Sequence, residues 1–434
     1  MKTRGSHKRS RPGSSKDDPP AKIHKSEVIN PEVEIPTETN KCTCGDNVPG
    51  INKINEKNIL YMHVEGGTFY AKKNDKTFKT ELLQKVCCLR NSNGGLLVTH
   101  VKNRDTGFGR NLDRFDERFE KDLNNMIEDD SPYWMNYRRR WLPSTERGEY
   151  QDYILLDVEG SSSVSTQDFN TYMPNDGSIV RPKAREIAEY MSKSHKASDT
   201  KNESKIGGDE FKEDHTLPYY ENRDLQFKRL DKEVLLGSQW KDLPTDKAAV
   251  EKILSCRLYN YITTFTKLEK GGVIYFGVEE EKTEPPRENA EGLPTYHYKV
   301  RGLSLTENDK RQIKTDLLTS IKQNMLWVDD KGNTLKEEDV AQKVEITFHS
   351  TKGDDTSYVI EVLVPQKFAG MVFTKKEGPF ACRVSRTGDK KEIIPVDLEK
   401  WQERVTEMLT CEKCKKGARQ SGEQQQQQQQ PQQQ

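Results

Sequence analysis

The sequence predicts an α+β chain in which two related α/β lobes close on each other as a clamp, with a disordered tail at each end. Three observations lead there. From Glu221 to Glu280 the chain passes from a polar-apolar alternating stretch, through a helical stretch of about five turns, to a Gly-Gly pair and a solid apolar run. The same order occurs earlier: VCCLRNSNGGLLVTHV from Val86 stands beside ITTFTKLEKGGVIYFGV from Ile262, with Gly94 and Gly271 in equivalent places. The third observation is composition. A hydrophobic content of 32% over 434 residues, with a mean hydropathy of −0.95, is too low for a chain that is compact throughout, so part of it reads as tail or linker.

In DLQFKRL, from Asp224 to Leu230, alternation predicts a half-buried strand with Asp224, Gln226 and Lys228 on its polar side and Leu225 and Phe227 on the other. Thr245 is a candidate N-cap. Val250, Leu254, Leu258, Ile262 and Phe265 make one apolar helix face behind it. After Gly271 and Gly272, VIYFGV is apolar on both faces, as a central strand requires, and Glu279, Glu280 and Glu281 follow at its exit. Acids at a strand exit suit a ligand site, although three Glu in a row on a chain that is 32% charged also suit a solvated run.

The rest of the chain divides by composition. Residues 1–45 read as a disordered basic arm, whose Lys2, Arg4, Lys8, Arg9 and Arg11 suit phosphate contact, a nuclear address or a plain solvated tail. Residues 55–191 form the first lobe. Within it Leu60, Met62 and Val64 alternate as a strand, a helix runs from Thr80 through Leu89, and Phe115, Phe119, Leu123 and Met126 stripe a second helix. YWMNYRRRW, from Tyr133 to Trp141, interleaves Arg138, Arg139 and Arg140 with aromatics. This suits RNA, since Arg grips phosphate and rings stack bases; it equally suits a loop whose Arg pair with Glu128, Asp129 and Asp130. Residues 192–218 read as a flexible linker and residues 219–405 as the second lobe. In that lobe Thr306 and Asp309 open a helix striped by Ile313, Leu317, Ile321 and Met325, and residues 344–364 read as a hairpin. Residues 415–434 are a Gln-rich disordered tail.

Lys and Arg total 70 and so do Asp and Glu, which argues against a blanket polyanion binder and permits a basic groove on an acidic body. With neither a long apolar run nor a charged-then-apolar leader, no membrane span or secretory signal is expected, and the predicted location is cytoplasmic, or nuclear if the arm is an address. Eight Cys, with Cys87 and Cys88 adjacent in an apolar setting, suit buried thiols in a reducing compartment. Cys42 with Cys44 and Cys411 with Cys414 make two short knuckles that could together hold a structural Zn²⁺. No G-x-x-x-x-G-K-[ST], H-E-x-x-H or G-x-S-x-G motif occurs, so neither nucleotide hydrolysis nor those hydrolytic chemistries are expected.

ENRDLQFKRL, the following helix, GGVIYFGVEE and the later Gly302-Leu303 together resemble the C-lobe of the Schlafen core and its AlbA-type relatives. The Asn-Ser-Asn-Gly-Gly stretch from Asn91 is similar to a hallmark of the Schlafen N-lobe, and FACRVSRTGD from Phe380 is similar to the closing segment of AlbA-type domains, with Ser385 in place of a Gly. The resemblance covers about residues 55–405. It implies acids that bind divalent metal and cleave structured RNA: Glu221 and Lys228 match the family pattern, Glu279 or Glu280 supplies the third acid, and Gln226 stands where the second Glu belongs. The zinc site of the vertebrate C-lobe has no counterpart between Val344 and Cys382. Short helicase-less animal Schlafen-like proteins, some of which process piRNA precursors together in nematodes, resemble this chain.

Two functions follow. In one, the chain belongs to a metal-dependent endoribonuclease, with Glu221 and Glu279 or Glu280 holding Mg²⁺ or Mn²⁺ and Lys228 meeting phosphate, acting with other Schlafen-like chains on small structured, precursor or tRNA-like RNA. In the other, it is an RNA-binding or assembly subunit that keeps the fold with a degenerate site, because Gln226 offers a carbonyl oxygen without charge.

Overall fold

Two Gly-Gly turns set the layout of both sheets. The computed structural model describes residues 58–65, 76–102, 137–141, 153–161, 164–175, 178–193, 206–207, 210–283, 295–387 and 390–407. The four knuckle cysteines, both tails and the expected helix at Phe115 to Met126 lie outside the described residues.

The first half contains β1 (Asn58–Glu65), α1 (Lys76–Arg90), β2 (Gly95–Lys102), β3 (Tyr137–Trp141), β4 (Tyr153–Val158), the hairpin β5 (Met173–Asn175) and β6 (Ser178–Val180), and α2 (Ala184–Ser192). The second opens with β7 (Thr216–Leu217), β8 (Leu225–Lys228), α3 (Lys232–Leu236), α4 (Thr245–Ser255), α5 (Leu258–Phe265), β9 (Gly272–Phe276), β10 (Val278–Thr283), β11 (Thr295–Val300) and β12 (Leu303–Ser304). It continues through α6 (Glu307–Asn324), β13 (Leu326–Asp329), α7 (Glu337–Ala341), β14 (Glu345–Thr351), β15 (Asp354–Val364), β16 (Gly370–Phe373), the hairpin β17 (Cys382–Thr387) and β18 (Lys390–Pro395), and α8 (Leu398–Glu407). The fold is mixed α/β.

The two halves repeat one topology. β1 pairs β2 in parallel and β2 pairs β4 antiparallel; likewise β8 pairs β9 in parallel and β9 pairs β15 antiparallel. Gly95 faces Val158 in the first sheet as Gly272 faces Val364 in the second. The preceding glycines, Gly94 and Gly271, are left-handed at φ +84° and +66°, and a Cβ on either would collide with the carbonyl oxygen of that same valine. Only glycine fits both requirements.

Each of the two main sheets buries apolar side chains on both faces. Leu60, Met62, Leu97, Ile154 and Leu156 pack against Leu82, Val86 and Leu89 of α1, while Ile59, Leu96, Val98 and Leu155 form a separate cluster on the opposite face. In the second half Ile274, Phe276, Ile360 and Val362 meet α4, α5 and α6. The expected five-turn helix is broken here: Arg257 is left-handed at φ 63°, so α5 leaves α4 at an angle and both still turn apolar residues into one core. The other face of that sheet is closed by Ile206, Phe211 and Leu217, at most 4% exposed, so the latter part of the expected linker is a packed strap. Thr306 and Asp309 form the capping box that starts α6.

The halves exchange elements. After β4 the chain makes the β5–β6 hairpin, which packs on α5 of the second half; after β15 it makes β17–β18, which packs on α1 of the first. α2 and α8 then lie against each other. Between them one shared core contains Val164, Phe169, Ile187 and Ala188 from the first half with Val328, Phe373, Trp401 and Val405 from the second. Trp401 Nε1 donates to Thr166 Oγ1 at 2.9 Å, and Asp168 bridges Phe380 strand to strand.

Each exchange has its own polar hub. Asn91, at the end of α1, donates to the carbonyls of Ser165 and Cys382, both at 2.9 Å, and accepts from Ser165 N at 2.7 Å. Beside it Cys88 and Cys382 form a disulfide, a correction to the expectation of thiols alone; their Cα atoms are 4.8 Å apart across 294 residues of sequence, a pairing no local pattern announces. At the other exchange Lys267 is buried. Its ammonium donates to Thr171 Oγ1 at 2.8 Å and to Thr263 O at 2.5 Å, and lies 5.8 Å from the ring centre of Tyr190.

Burial pushes the Lys267 pKa from its ordinary 10.5 down to about 7. Between those two values the unfolded chain carries a proton that the folded chain sheds, so this residue makes stability rise with pH over that range and weighs against the fold most at and below pH 7. Lys267→Met is therefore expected to stabilise the protein at pH 6 by on the order of 2 kcal/mol, with much less gain at pH 9. Urea melts of both proteins at the two pH values check this; an equal effect at both would remove the buried-charge explanation.

Candidate functional site

Strand β8 lies at the edge of its sheet, and the geometry of that edge decides what the candidate acids do. Val273 N donates to Asp224 O and Gly277 N to Lys228 O, so one side of the strand is tied to β9. On the other side, Asn222 N donates to Leu225 O at 2.9 Å, and Phe227 N donates to Glu221 Oε1 at 2.7 Å. Glu221 sits in the turn before the strand, and its carboxylate closes a strand edge that would otherwise present a bare N–H.

The same oxygen of Glu221 accepts from Lys228 Nζ at 2.8 Å. Lys228 also donates to Gln226 Oε1 at 3.4 Å, while Gln226 Nε2 donates to Asn222 O at 2.7 Å. Gln226 is buried rather than outward-facing, and Lys228 lies 5.6 Å from the ring centre of Tyr261. Burial alone would lower the Lys228 pKa; the Glu221 carboxylate outweighs it and the net shift is upward. An ammonium thus stands among the oxygens that the resemblance assigns to metal.

The three consecutive glutamates do not leave the strand as a loop. Gly277, at φ +109°, kinks the chain after β9, and Val278–Thr283 continues as β10 paired with β11. Alternation along β10 separates the acids. Glu279 Oε1 accepts from Arg229 Nη1 at 2.5 Å and Glu279 Oε2 from Arg301 Nε at 2.7 Å, so both oxygens are engaged by guanidinium groups. Arg301 also bonds Asp214 and Glu281, and Arg229 bonds Asp231 and Glu233. Glu280 is exposed and accepts from Tyr298 Oη at 3.5 Å. Burial first, then the nearby Glu221 and Glu280 carboxylates, push the Tyr298 phenol up to about 12, so it remains a donor at neutral pH.

A hard divalent cation asks for several oxygens carrying net negative charge. Here Glu221 is shared with an ammonium, Gln226 is neutral, Glu279 is held by two arginines and Glu280 is exposed with the Tyr298 phenol as donor, so this donor set does not gather the charge that Mg²⁺ or Mn²⁺ asks for. Among the described residues no group of three or more His, Cys, Asp or Glu side chains is arranged to hold a metal. The four cysteines considered for Zn²⁺ lie outside those residues.

The repeat shows what is particular to this edge. Pairing places Leu225 against Val273 as Ile59 lies against Leu96, so Gln226 and Lys228 correspond to Leu60 and Met62, which are ordinary core residues. The first half carries a closed core where the second carries a polar pocket. The candidate RNA patch falls on β3, where Arg138 is exposed and its register partner is Asp157; the backbone at Arg139 and Arg140 pairs with Leu156 and Leu155. Sequence reasoning missed Arg229 and Arg301. The signal available was a basic residue directly after β8 and another directly after β11, each next to an acidic strand.

No protein-family model matches the chain, and no curated protein matches it. No helix among the described residues is long and apolar enough to cross a membrane.

Glu221→Ala would strand the Phe227 N–H and the half-buried Lys228 ammonium together. The expected cost is about 2 kcal/mol of stability, with Glu221→Gln costing less because an amide oxygen can still accept. Thermal or urea unfolding of the two variants checks this, and a neutral Glu221→Ala would show that the carboxylate does not cap the edge.

Proposed function

We propose that the chain is a Schlafen-like subunit of a heteromeric, metal-dependent endoribonuclease that processes small structured or precursor RNA, of the piRNA-precursor or tRNA-like kind. In this reading its two lobes form half of an RNA groove in a clamp, and the acids that hold Mg²⁺ or Mn²⁺ belong to another Schlafen-like chain of the assembly. The observation that carries the division of labour is Lys228 set between Glu221 and Gln226, with Glu279 held between Arg229 and Arg301. Glu221 and Glu279 each already have a cation of their own chain as partner, while Glu280 is exposed and accepts from the Tyr298 phenol. Releasing Glu221 and Glu279 would cost the bonds that close the β8 edge and link β8, β10 and β11.

What this chain supplies is then shape and cationic surface. Arg138 on β3 is exposed, and it stands in a run of three arginines flanked by aromatic residues, of which Tyr137 is buried in the core. Phosphate contacts release condensed counterions, so binding through this patch weakens steeply with salt.

The purified chain, given labelled precursor RNA and Mn²⁺, is expected to bind without cutting. In the complex purified with its partners, Glu221→Gln is expected to leave cleavage within about twofold, while removing an acid from a partner with an intact metal set abolishes it. Cleavage by the isolated chain that is lost on Glu221→Gln would overturn the proposal. Separately, Arg138→Ala with Arg140→Ala should weaken RNA binding about equally for all sequences and reduce the salt slope by roughly one to two. An unchanged slope would assign the β3 arginines to structure.

A further inference from the structure

The β17–β18 hairpin is joined to the rest of the molecule in an unusual way for a two-stranded element. Among the described residues it pairs with no larger sheet, and such a hairpin is marginal on its own, so its order depends on what it lies against. That support is α1, at the far end of the sequence. Asn91 donates to Cys382 O, Val384 N donates to Ser92 Oγ at 2.8 Å, and Ser92 Oγ donates to Cys88 O at 2.7 Å. These bonds run to main-chain atoms and do not require a sulfur–sulfur link. They hold Cys382, the first residue of β17, over Cys88 with the Cα atoms 4.8 Å apart, within the range a disulfide can bridge.

We propose that Cys88 and Cys382 form a reversible redox latch, which closes by exchange with a small-molecule disulfide and sets how readily the β17–β18 hairpin lifts from α1. In closing, the two thiols lose two protons and two electrons as the Sγ–Sγ bond forms; the small disulfide accepts both and parts into two thiols. Opening by a dithiol is the reverse. Cys88 is fully buried and Cys382 is 2% exposed, so neither direction proceeds until the hairpin rises and admits the reagent. The latch therefore acts on the same motion through which it is reached. The repeat marks this as an addition rather than a requirement of the fold: by spacing from the Gly-Gly turn, Phe265 stands at the second exchange where Cys88 stands at the first, and that junction holds without a disulfide. The hairpin sequence bears Arg383, Arg386, Lys390 and Lys391 against Asp389 and Glu392, so what is latched carries a modest net positive charge.

The test uses the full chain, purified without reductant. Alkylation in denaturant followed by peptide mass spectrometry should find Cys88 and Cys382 protected and linked, and alkylated only after dithiothreitol; Cys87 and Cys256, which take no part in the disulfide, should react in both samples. Under native conditions reduction should be slow and should accelerate in mild urea. Amide hydrogen exchange across β17–β18 should then be about tenfold faster in the reduced protein and return to the oxidised rate after incubation with oxidised glutathione. Cys382→Ser should exchange at the reduced rate in either buffer; should that variant fail to fold, the wild-type comparison with and without reductant decides alone. Free Cys88 and Cys382 thiols that persist after treatment with oxidised glutathione would overturn the proposal, as would hairpin exchange rates that are equal in the two redox states.

Discussion

The constraint on which the structure depends is the exchange of a hairpin and helix between its two halves. Neither half completes its own core. α1 is covered in part by Cys382, Val384 and Ile393 from the far end of the chain, and α5 by the hairpin that follows β4. The aromatic centre around Trp401 takes one wall from each half, with Phe169 and Phe373 meeting the indole edge to face. Burial of these rings is worth several kcal/mol and is realised only when both halves are in place. The polar groups at the exchanges follow from this arrangement. Asn91 uses both ends of its amide on backbone groups of two distant segments, whereas Lys267 is buried with a hydroxyl, a carbonyl and a ring for partners. One junction is thereby fixed strongly, and the other carries a titratable burden.

At the β8 edge a second constraint applies. A strand edge with a free N–H needs an acceptor, and a carboxylate five to six residues earlier in the turn is well placed to be one. Once Glu221 is committed to Phe227 and Lys228, the cation it holds also attracts the Gln226 carbonyl, and the pocket is electrically complete. A glutamate at position 226 would add a charge that Lys228 alone could not balance, leaving a net anionic site of the kind that draws a divalent ion. The side chain present does not. Glu279 is likewise part of a network, in which Arg229 and Arg301 tie β8, β10 and β11 to the strap around Asp214. In this arrangement Glu221 and Glu279 serve the structure, through the β8 edge and the network that joins β8, β10 and β11.

Much of this was legible in the residues themselves. Gly-Gly turns, the alternation in DLQFKRL and the capping box at Thr306 are local signals, and β8, β9 and α6 appear where those signals put them, within a few residues. What the sequence hid was set by distant partners. Arg257 turns left-handed to let two helices share one core, and nothing in its neighbours marks it. The Glu279–Glu281 run resembled a solvated strand exit, and became a strand because residues 295–300 supply its ladder and Arg301 its counter-charge. Ile206, Phe211 and Leu217 are spread through a polar segment, and their burial is visible only once the sheet they cover exists. The Cys88–Cys382 pair and the exchange of hairpins are contacts of very long sequence separation, beyond any periodicity.

If the two halves are interlocked as described, neither can unfold while leaving the other's core intact. Differential scanning calorimetry of the full chain under oxidising conditions tests this most directly, with Trp fluorescence followed in parallel. One transition is predicted, with calorimetric and van't Hoff enthalpies in agreement and the fluorescence change coincident with the heat. Two separable transitions, each with the enthalpy of about half the folded chain, would contradict the exchange and leave two independent domains joined by a linker.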